Sequence, residues 1–487
     1  MNKWVAVFGA CALGWSSMST AQLSDVGRIL QEAGAPQTIV NSGDAIRRTC
    51  LELGAAGPQS GARADLFNRC REMSGTVLQL AGLPAGNTYG FSNPLDAVNA
   101  IRQFAGEETS SQTRLATEST NRQFANLGAR MDAIRRGARS SGGPLALNLQ
   151  GMDLGAALAG NTTTPAAGGL GASADRDADT GWGWFANGAV GWGDRSESVN
   201  ESGYDFDSYG VTLGVDYAFD TGLTLGAAVG YAKYDTDFDT SPAASLVGPS
   251  AGGGLDSDGY SFSGFFVYNL ERFYVNGIAS YGRSDFDLER RIRFNAGSAA
   301  TGTAVGLELD RTLTGETRST QYGGQFTGGV MFGTGATTMD LYAGFDYLDI
   351  KINSYDELET GGPAEAGLAL SYASQSTDSL QSIVGIMVRH AAATGFGTVI
   401  PYAGVEWRRE YENKARDVEY SYVFAQPGST VRFLSPTDAP DKSFFELTFG
   451  LSAQFANNLF GFVQYNRTEA LSRTNANVIT FGIRGVF

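Results

Sequence analysis

From residue 182 to the end of the chain, apolar and polar side chains alternate one by one in segment after segment, and no apolar run is long enough for a membrane-spanning helix. In a strand, successive side chains point to opposite faces, so this period of two marks strands whose faces differ. The stretch Asn475 to Phe487 is the clearest: Ile479, Phe481, Ile483 and Phe487 share one face, and Val478, Thr480, Gly482, Arg484 and Val486 share the other. One apolar face and one mixed, glycine-containing face suit a transmembrane barrel, with lipid outside and a crowded lumen inside. The same alternation runs through Tyr209, Val211, Leu213, Val215, Tyr217 and Phe219, and through Phe445, Leu447, Phe449, Leu451 and Phe455.

Strands are expected near 182–192, 207–219, 222–234, 259–270, 272–284, 317–333, 337–350, 378–391, 396–409, 443–456, 458–468 and 475–487, which makes twelve. Short turns follow the even strands, and longer acidic or Gly/Ser-rich connections (193–206, 235–258, 285–316, 351–377, 410–442) follow the odd ones. That asymmetry belongs to outer-membrane barrels, whose periplasmic turns are short. A soluble sandwich has no reason to alternate its loops, and its outer faces would be polar. The expected fold is an all-β transmembrane barrel of 12 antiparallel strands over 181–487, preceded by a pore helix and a small all-α domain.

Residues 1–21 read as a signal peptide: Lys3 precedes an apolar run from Trp4 to Trp15, and Ser19-Thr20-Ala21 is small where a signal peptidase reads, so cleavage is expected before Gln22. Cys11 lies inside that run. The other two cysteines, Cys50 and Cys70, are expected to form a disulfide in an exported chain, since two cysteines without a nearby histidine make a poor metal site. Residues 22–112 have a helical period broken at Gly34-Ala35-Pro36, Gly57-Pro58 and Leu83-Pro84, with Asn93-Pro94 as a capped helix start. About four short helices are expected, and a disulfide closing a loop of about 20 residues would add roughly 3 kcal/mol.

Residues 113–137 form one longer helix candidate, with Phe124, Leu127, Met131 and Ile134 on a stripe and Arg114, Arg122, Arg130, Arg135 and Arg136 around it. Such a helix rises about 37 Å, enough to cross a bilayer's hydrocarbon core inside a pore. Residues 138–180 are rich in Gly, Ala, Ser and Thr and read as a linker. Asp216, Asp340, Asp346, Glu406 and Glu446 fall on the polar faces of their strands, hence in the lumen. Two pairings are open to them: with the helix arginines, which would hold the helix in the pore, or with the inward-facing Arg389, Arg408 and Arg484.

Catalysis is poorly supplied. The single histidine, His390, ends a strand on the face of Val384, Ile386 and Val388 and has no histidine partner for a Ser-His-Asp site. Asp235, Asp237 and Asp239 lack the glycine and the bidentate glutamate of a calcium loop, as do Asp175, Asp177 and Asp179. No catalytic residue, cofactor or metal is expected. A net charge of −16, with no dense Lys/Arg stripe, argues against nucleic acid as a partner.

The twelve alternating strands, the ending VITFGIRGVF and the helix with its linker resemble the autotransporter (type V secretion) β-domain family over about 113 to 487. The resemblance implies a Gram-negative outer-membrane barrel, surrounded by lipid and lipopolysaccharide, acting as a monomer. It also implies insertion by the barrel assembly machinery, which would read Phe481, Ile483 and Phe487, and delivery of 22–112 outside as a short helical passenger. The segment ANLGARMDAIR, Ala125 to Arg135, is similar to the pore-helix segment of serine protease autotransporters, where the first of two asparagines cuts the chain. That position is Ala125 here, so the passenger is expected to stay attached. A porin-like channel and a surface-anchored adhesin are the alternatives.

Overall fold

The computed structural model describes residues 23–135, 148–149, 152–153 and 181–486, apart from breaks at 241–245, 298–303, 361–365, 395–396 and 455–458. The expected signal peptide, Arg136, most of the 138–180 linker and Phe487 lie outside the described residues. Twelve long strands make the barrel: β1 Gly181–Arg195, β2 Tyr204–Ala218, β3 Leu223–Phe238, β4 Gly253–Leu270, β5 Phe273–Gly297, β6 Ala304–Thr334, β7 Thr337–Ile352, β8 Gln375–His390, β9 Gly397–Glu410, β10 Ser443–Gln454, β11 Leu459–Glu469 and β12 Thr474–Val486. Each pairs antiparallel with the next, and β12 closes on β1 through Ile479 opposite Val190 and Phe481 opposite Gly188.

Alternation sorts the side chains as the sequence predicts. Val211, Leu213, Val215, Val229, Phe262, Phe449 and Phe481 face outward and are about half exposed, whereas Thr212, Asp216, Ser263, Asp340 and Arg484 on the lumen face are buried. Towards the end that carries the long connections, tyrosines 209, 231, 260, 281 and 322 form a girdle, with ring centroids 6.5 Å apart for Tyr209 and Tyr231 and 5.2 Å for Tyr231 and Tyr260. Two to six residues further out along the same outer faces stand Asp205, Asp207, Asp235, Asp237, Asp256, Asp258, Asp285 and Asp287.

The structure departs from expectation at the connections. Strands run into all five of the spans read as loops, and furthest into 285–316, 351–377 and 410–442. A tilted strand needs about 9–11 residues to cross a bilayer, and β5 with 25 residues and β6 with 31 continue well past it. Short strands Tyr355–Glu359, Leu370–Tyr372, Asp417–Tyr422 and Phe433–Pro436 pair in turn beside β6, which extends the outer sheet sideways over the mouth. Outside lipid this sheet buries one face only: Phe286, Leu288, Arg290, Ile292 and Phe294 point inward, and Asp287, Glu289, Arg291 and Arg293 between them point outward.

Four helices cover that inner face: α1 Asp25–Glu32, α2 Gln37–Ala55, α3 Gly61–Leu80 and α4 Pro94–Ala105. Ser24 caps α1 by accepting from the Gly27 N–H at 3.2 Å, and Asn93 caps α4 with Pro94 in its first turn. Gly106 ends α4 in the left-handed region, at φ 64°. The disulfide Cys50–Cys70 staples α2 to α3, with Cα atoms 5.6 Å apart. Ile39, Ile46, Leu53, Leu66, Phe91, Ile101 and Phe104 share one continuous core with Ile292, Phe294, Leu309, Leu313, Leu370, Tyr420 and Phe433 of the outer sheet.

Charge is buried in the same contact. Arg290, fully buried, holds Glu357 through Nε–Oε1 2.9 Å and Nη2–Oε2 2.6 Å and donates to the Gln103 carbonyl of α4 at 3.0 Å. Arg311 of β6 lies 3.5 Å from Asp65 of α3 and 3.3 Å from Glu359, so two carboxylates share one guanidinium across the junction. Burial pushes the Glu359 carboxyl up to about 7; Asp65 adds to the rise, and the Leu368 N–H and Arg311 oppose it. The unfolded value is about 4.3. Protonated Glu359 therefore stabilises the docked helices fully below that value, and the contribution is lost as pH rises through about 7. Burial raises Glu108 in the same direction. Trypsin cleavage of the helical segment in purified outer membranes should quicken between about pH 5 and pH 8. Glu359→Gln should flatten the profile, and a flat wild-type profile would contradict this assignment.

Candidate functional site: the helix-filled lumen

The barrel is threaded by α5, Ser110–Arg135, whose N-terminus lies at the mouth and whose C-terminus lies at the end with short turns. Its residues sort into three faces. Phe124, Leu127, Met131 and Ile134, at helical spacing, pack on Phe185, Ala228, Phe265, Val267 and Ile278 of the inner wall. Burying such a side chain is worth about 1.5–3 kcal/mol, so this apolar patch inside the lumen already holds the helix to one side.

The second face is polar and repeats every four residues on both partners. Arg122 donates to Ser208, Asn126 Nδ2 donates to Thr212 Oγ1 at 3.2 Å, and Arg130 pairs with Asp216 at 2.6 Å. Residues four apart share a helix face, and residues four apart on a strand share a sheet face, so a single period registers both. The wall is cut to fit: a methyl at Gly191 would sit 2.5 Å from Arg122 Nη2, and one at Gly183 would sit 2.6 Å from Arg130 Nη2. Above this ladder Arg114 reaches Glu201 at 2.9 Å, and Glu201 also accepts from Arg195. At the foot, Arg135 stacks 4.0 Å from the Tyr274 ring centroid and approaches Asp340, which is bonded to Arg389 at 2.6 Å; Arg389 also bonds Asp132 of the helix.

The five lumen acids thus divide between the two pairings left open by the sequence. Asp216 meets the helix directly, and Asp340 meets it through Arg135 and the Arg389–Asp132 bridge. Asp346, Glu406 and Glu446 do not hold the helix: they gather on the strand residue Arg408 at 2.7, 2.6 and 3.3 Å. The strand phase puts all five in the lumen, but α5 leans on β1 to β7, and these three stand on the opposite wall or face Arg408 first. Sequence reasoning missed Asn187, Ser208 and Thr212, lumen-facing at the right phase but uncharged, and Glu201, which lies in a connection with no period to place it.

The third face of α5 looks across an open space of about 450 Å³ bounded by β8 to β12, with Glu118, Asn121, Ala125, Gln381, Arg408 and Glu446 on its walls. Ala133 against Phe460, with Arg484 5.0 Å over the Phe460 ring, fills the lumen at the turn end. His390 is exposed at that same end, its Nδ1 2.9 Å from Thr337 Oγ1, away from this space. Asp235 and Asp237 alternate along the outer face of β3, with Asp239 just beyond its end; among the described residues no group of three His, Cys, Asp or Glu side chains is placed to hold a metal ion. Phe481 and Ile483 of the closing strand are half exposed to the lipid side.

Arg130 and Asp216 are both almost wholly buried, so removing Asp216 takes the carboxylate from a buried guanidinium, at a cost of about 3–5 kcal/mol. Asp216→Ala should lower the denaturant midpoint of the detergent-solubilised protein accordingly. Arg130→Met with Asp216→Ala should recover much of the loss; equal losses in the single and double variants would remove this pair from the account.

A model of the autotransporter beta-domain family matches residues 184–466. Outer membrane protein A of Rickettsia conorii is 30% identical over 191 residues, which are 39% of this chain and 9% of that protein. The Rickettsia rickettsii protein of the same name is 29% identical over 191 residues, 39% of this chain and 8% of its own length, so the chain spans only a small part of these relatives. Among solved structures, the translocator domain of autotransporter NalP from Neisseria meningitidis is similar at 14% identity and a TM-score of 0.48, covering 76% of this chain and 98% of that one. The beta domain of the Bordetella autotransporter BrkA is similar at 16% identity and a TM-score of 0.39, covering 63% and 100%. With the barrel closed by twelve strands and the family model spanning more than half of its residues, this chain belongs to the autotransporter β-domain family and resides in the outer membrane of a Gram-negative bacterium.

Proposed function

We propose that the barrel carries its own N-terminal segment, residues 22–112, to the cell surface and keeps it there as a small disulfide-bonded domain. The observation that carries this reading is the continuous path of the chain: α4 on the outer sheet leads through Gly106 into α5, which runs the length of the lumen. Residues 1–21 would direct the chain across the inner membrane, and the assembly machinery would insert the barrel through its last strand. In the outer membrane the protein would stand as a monomer among lipid and lipopolysaccharide. The domain serves binding or shielding rather than catalysis in this reading, since the lone histidine lies at the opposite end of the barrel.

Retention follows from the pore helix. Self-cleavage in the related pore helices requires a side-chain amide at the position of Ala125, and Ala125 faces the open space with no nucleophile. Asn126, one residue on, is buried against the wall, where Nδ2 donates to Thr212 and its carbonyl accepts from Asn187 Nδ2 at 3.2 Å. Its amide nitrogen is thereby engaged away from its own carbonyl carbon.

The open space beside α5 favours a second reading as a channel, and planar-bilayer conductance with and without residues 22–137 separates the two: the channel reading requires current through the full chain. For retention, peptide mass spectrometry of purified outer membranes should find a peptide spanning Ala125 and Asn126 at full abundance. A barrel fragment beginning at Asn126 or Leu127 would overturn it. Thiol labelling of the same sample without reductant should find neither Cys50 nor Cys70, and stoichiometric labelling would refute the disulfide at the surface.

A further inference from the structure

We propose that the open space beside α5 is a binding site, entered from the cell surface, for a short zwitterionic peptide, held by its carboxylate at the rim and by its ammonium at the floor. At about 450 Å³ the space lies within the range of small-molecule sites. Its walls run inward from Asp441 and Leu471, in the outer connections, to Asn126 of α5 and Thr480 of β12. Beyond them Ala133 and Phe460 fill the lumen at the turn end, so the space is a vestibule that opens outward. It is built by α5 and the wall of β8 to β12, and it does not depend on how residues 22–112 reach the surface.

Arg416 stands at the rim as a cation in want of a partner. Its backbone is fixed, the N–H donating to Thr437 Oγ1 at 3.1 Å and the carbonyl accepting from the Thr437 N–H at 2.7 Å, and its side chain lines the space. Among the described residues no carboxylate pairs with its guanidinium. Burial and the neighbouring charge of Arg114 hold it below the usual arginine range, and Glu201 opposes them only in part. Glu201 is already engaged, accepting from Arg114 Nε at 3.2 Å and Nη2 at 2.9 Å and from Arg195 Nη2 at 2.7 Å. Two guanidiniums whose repulsion is not relieved suit an anion between them, and a carboxylate matches the guanidinium fork.

The floor has the opposite balance. Arg408 holds Asp346, Glu406 and Glu446, three carboxylates against one guanidinium, which leaves a formal excess of negative charge. Glu118 of α5 faces the same space and is matched by Arg122, at 3.2 Å. Asn121, one turn further in on the same helix face, lines the space with a side chain that has no hydrogen-bond partner among the described residues. An ammonium group is the natural complement of such a floor.

The separation of the two ends sets the length of the ligand. Arg114 and Glu118 are one turn apart on α5, which places rim and floor about 6 Å from each other along the helix. An extended chain of two residues spans about 7 Å, whereas a single amino acid cannot reach both ends. The opposite balances also set the direction, because a peptide entered carboxylate first would meet like charge at both ends. Ala125 and Ala189 are small members of the lining and leave room for side chains, so the site selects charge and length rather than sequence.

The test titrates the full chain in detergent with trialanine and follows the heat. Saturable binding is expected with a Kd of about 0.1–1 mM, and alanine and N-acetyl-trialanine amide should bind at least about tenfold more weakly. Arg416→Ala and Glu118→Gln should each weaken trialanine about tenfold, with heat-modifiable migration showing an intact barrel, and Arg416→Lys, which keeps the charge, should lose less. Phenylglyoxal modification of Arg416, followed by peptide mass spectrometry, should slow when trialanine is present, which locates the peptide at the rim. An absence of saturable heat with trialanine would overturn the proposal. So would equal affinity for the acetylated amide, or an unchanged affinity in Arg416→Ala.

Discussion

Inside hydrocarbon there is no water to satisfy a backbone N–H or C=O, and each one left unpaired costs several kcal/mol. The pairing of β12 with β1 answers that requirement for the last open edge, and the other features of the molecule depend on it. Once the sheet is closed, its inner faces enclose a lumen that must be filled. A helix whose own backbone bonds are internal is the simplest filling, and α5 supplies it with an apolar stripe for one wall and a polar row for the next.

Charge in the lumen is managed by neighbourhood rather than by a single field. Arg130 and Asp216 form a deeply buried pair, whereas Arg408 draws three carboxylates on the far wall beside the open space. Removing one member therefore has different consequences in the two places. Loss of one carboxylate beside Arg408 leaves it two others, whereas loss of Asp216 takes a fully buried carboxylate from a fully buried guanidinium.

The sequence was most legible where lipid imposes its own chemistry. All twelve barrel strands, the inward placement of Asp216, Asp340, Asp346, Glu406 and Glu446, and the α5 stripe follow from periods of two and 3.6 residues. Phase places a residue inside or outside, but it carries no azimuth, so it could not say which acids stand near the helix. The outer halves of β5 and β6 were hidden for a related reason. Phe286, Leu288, Ile292 and Phe294 do alternate, but their partners Asp287, Glu289, Arg291 and Arg293 are charged, and without lipid on that face the segment reads as a loop. The four helices were legible by period, but a shared core with the sheet requires contacts hundreds of residues apart.

The tyrosine girdle and the aspartates above it also fix where the barrel floats. Tyr209, Tyr231, Tyr260 and Tyr281 suit the boundary between hydrocarbon and headgroups, and their strands turn acidic within a few residues outward. Sinking the barrel by one pleat would bring Asp207 and Asp258 towards hydrocarbon, where an ionised side chain costs about 2.5–3.5 kcal/mol. Rising by the same amount would lift Val211 and Phe262 out of lipid. The collar thus acts as a waterline, and it holds the outer sheet at a set height above the bilayer.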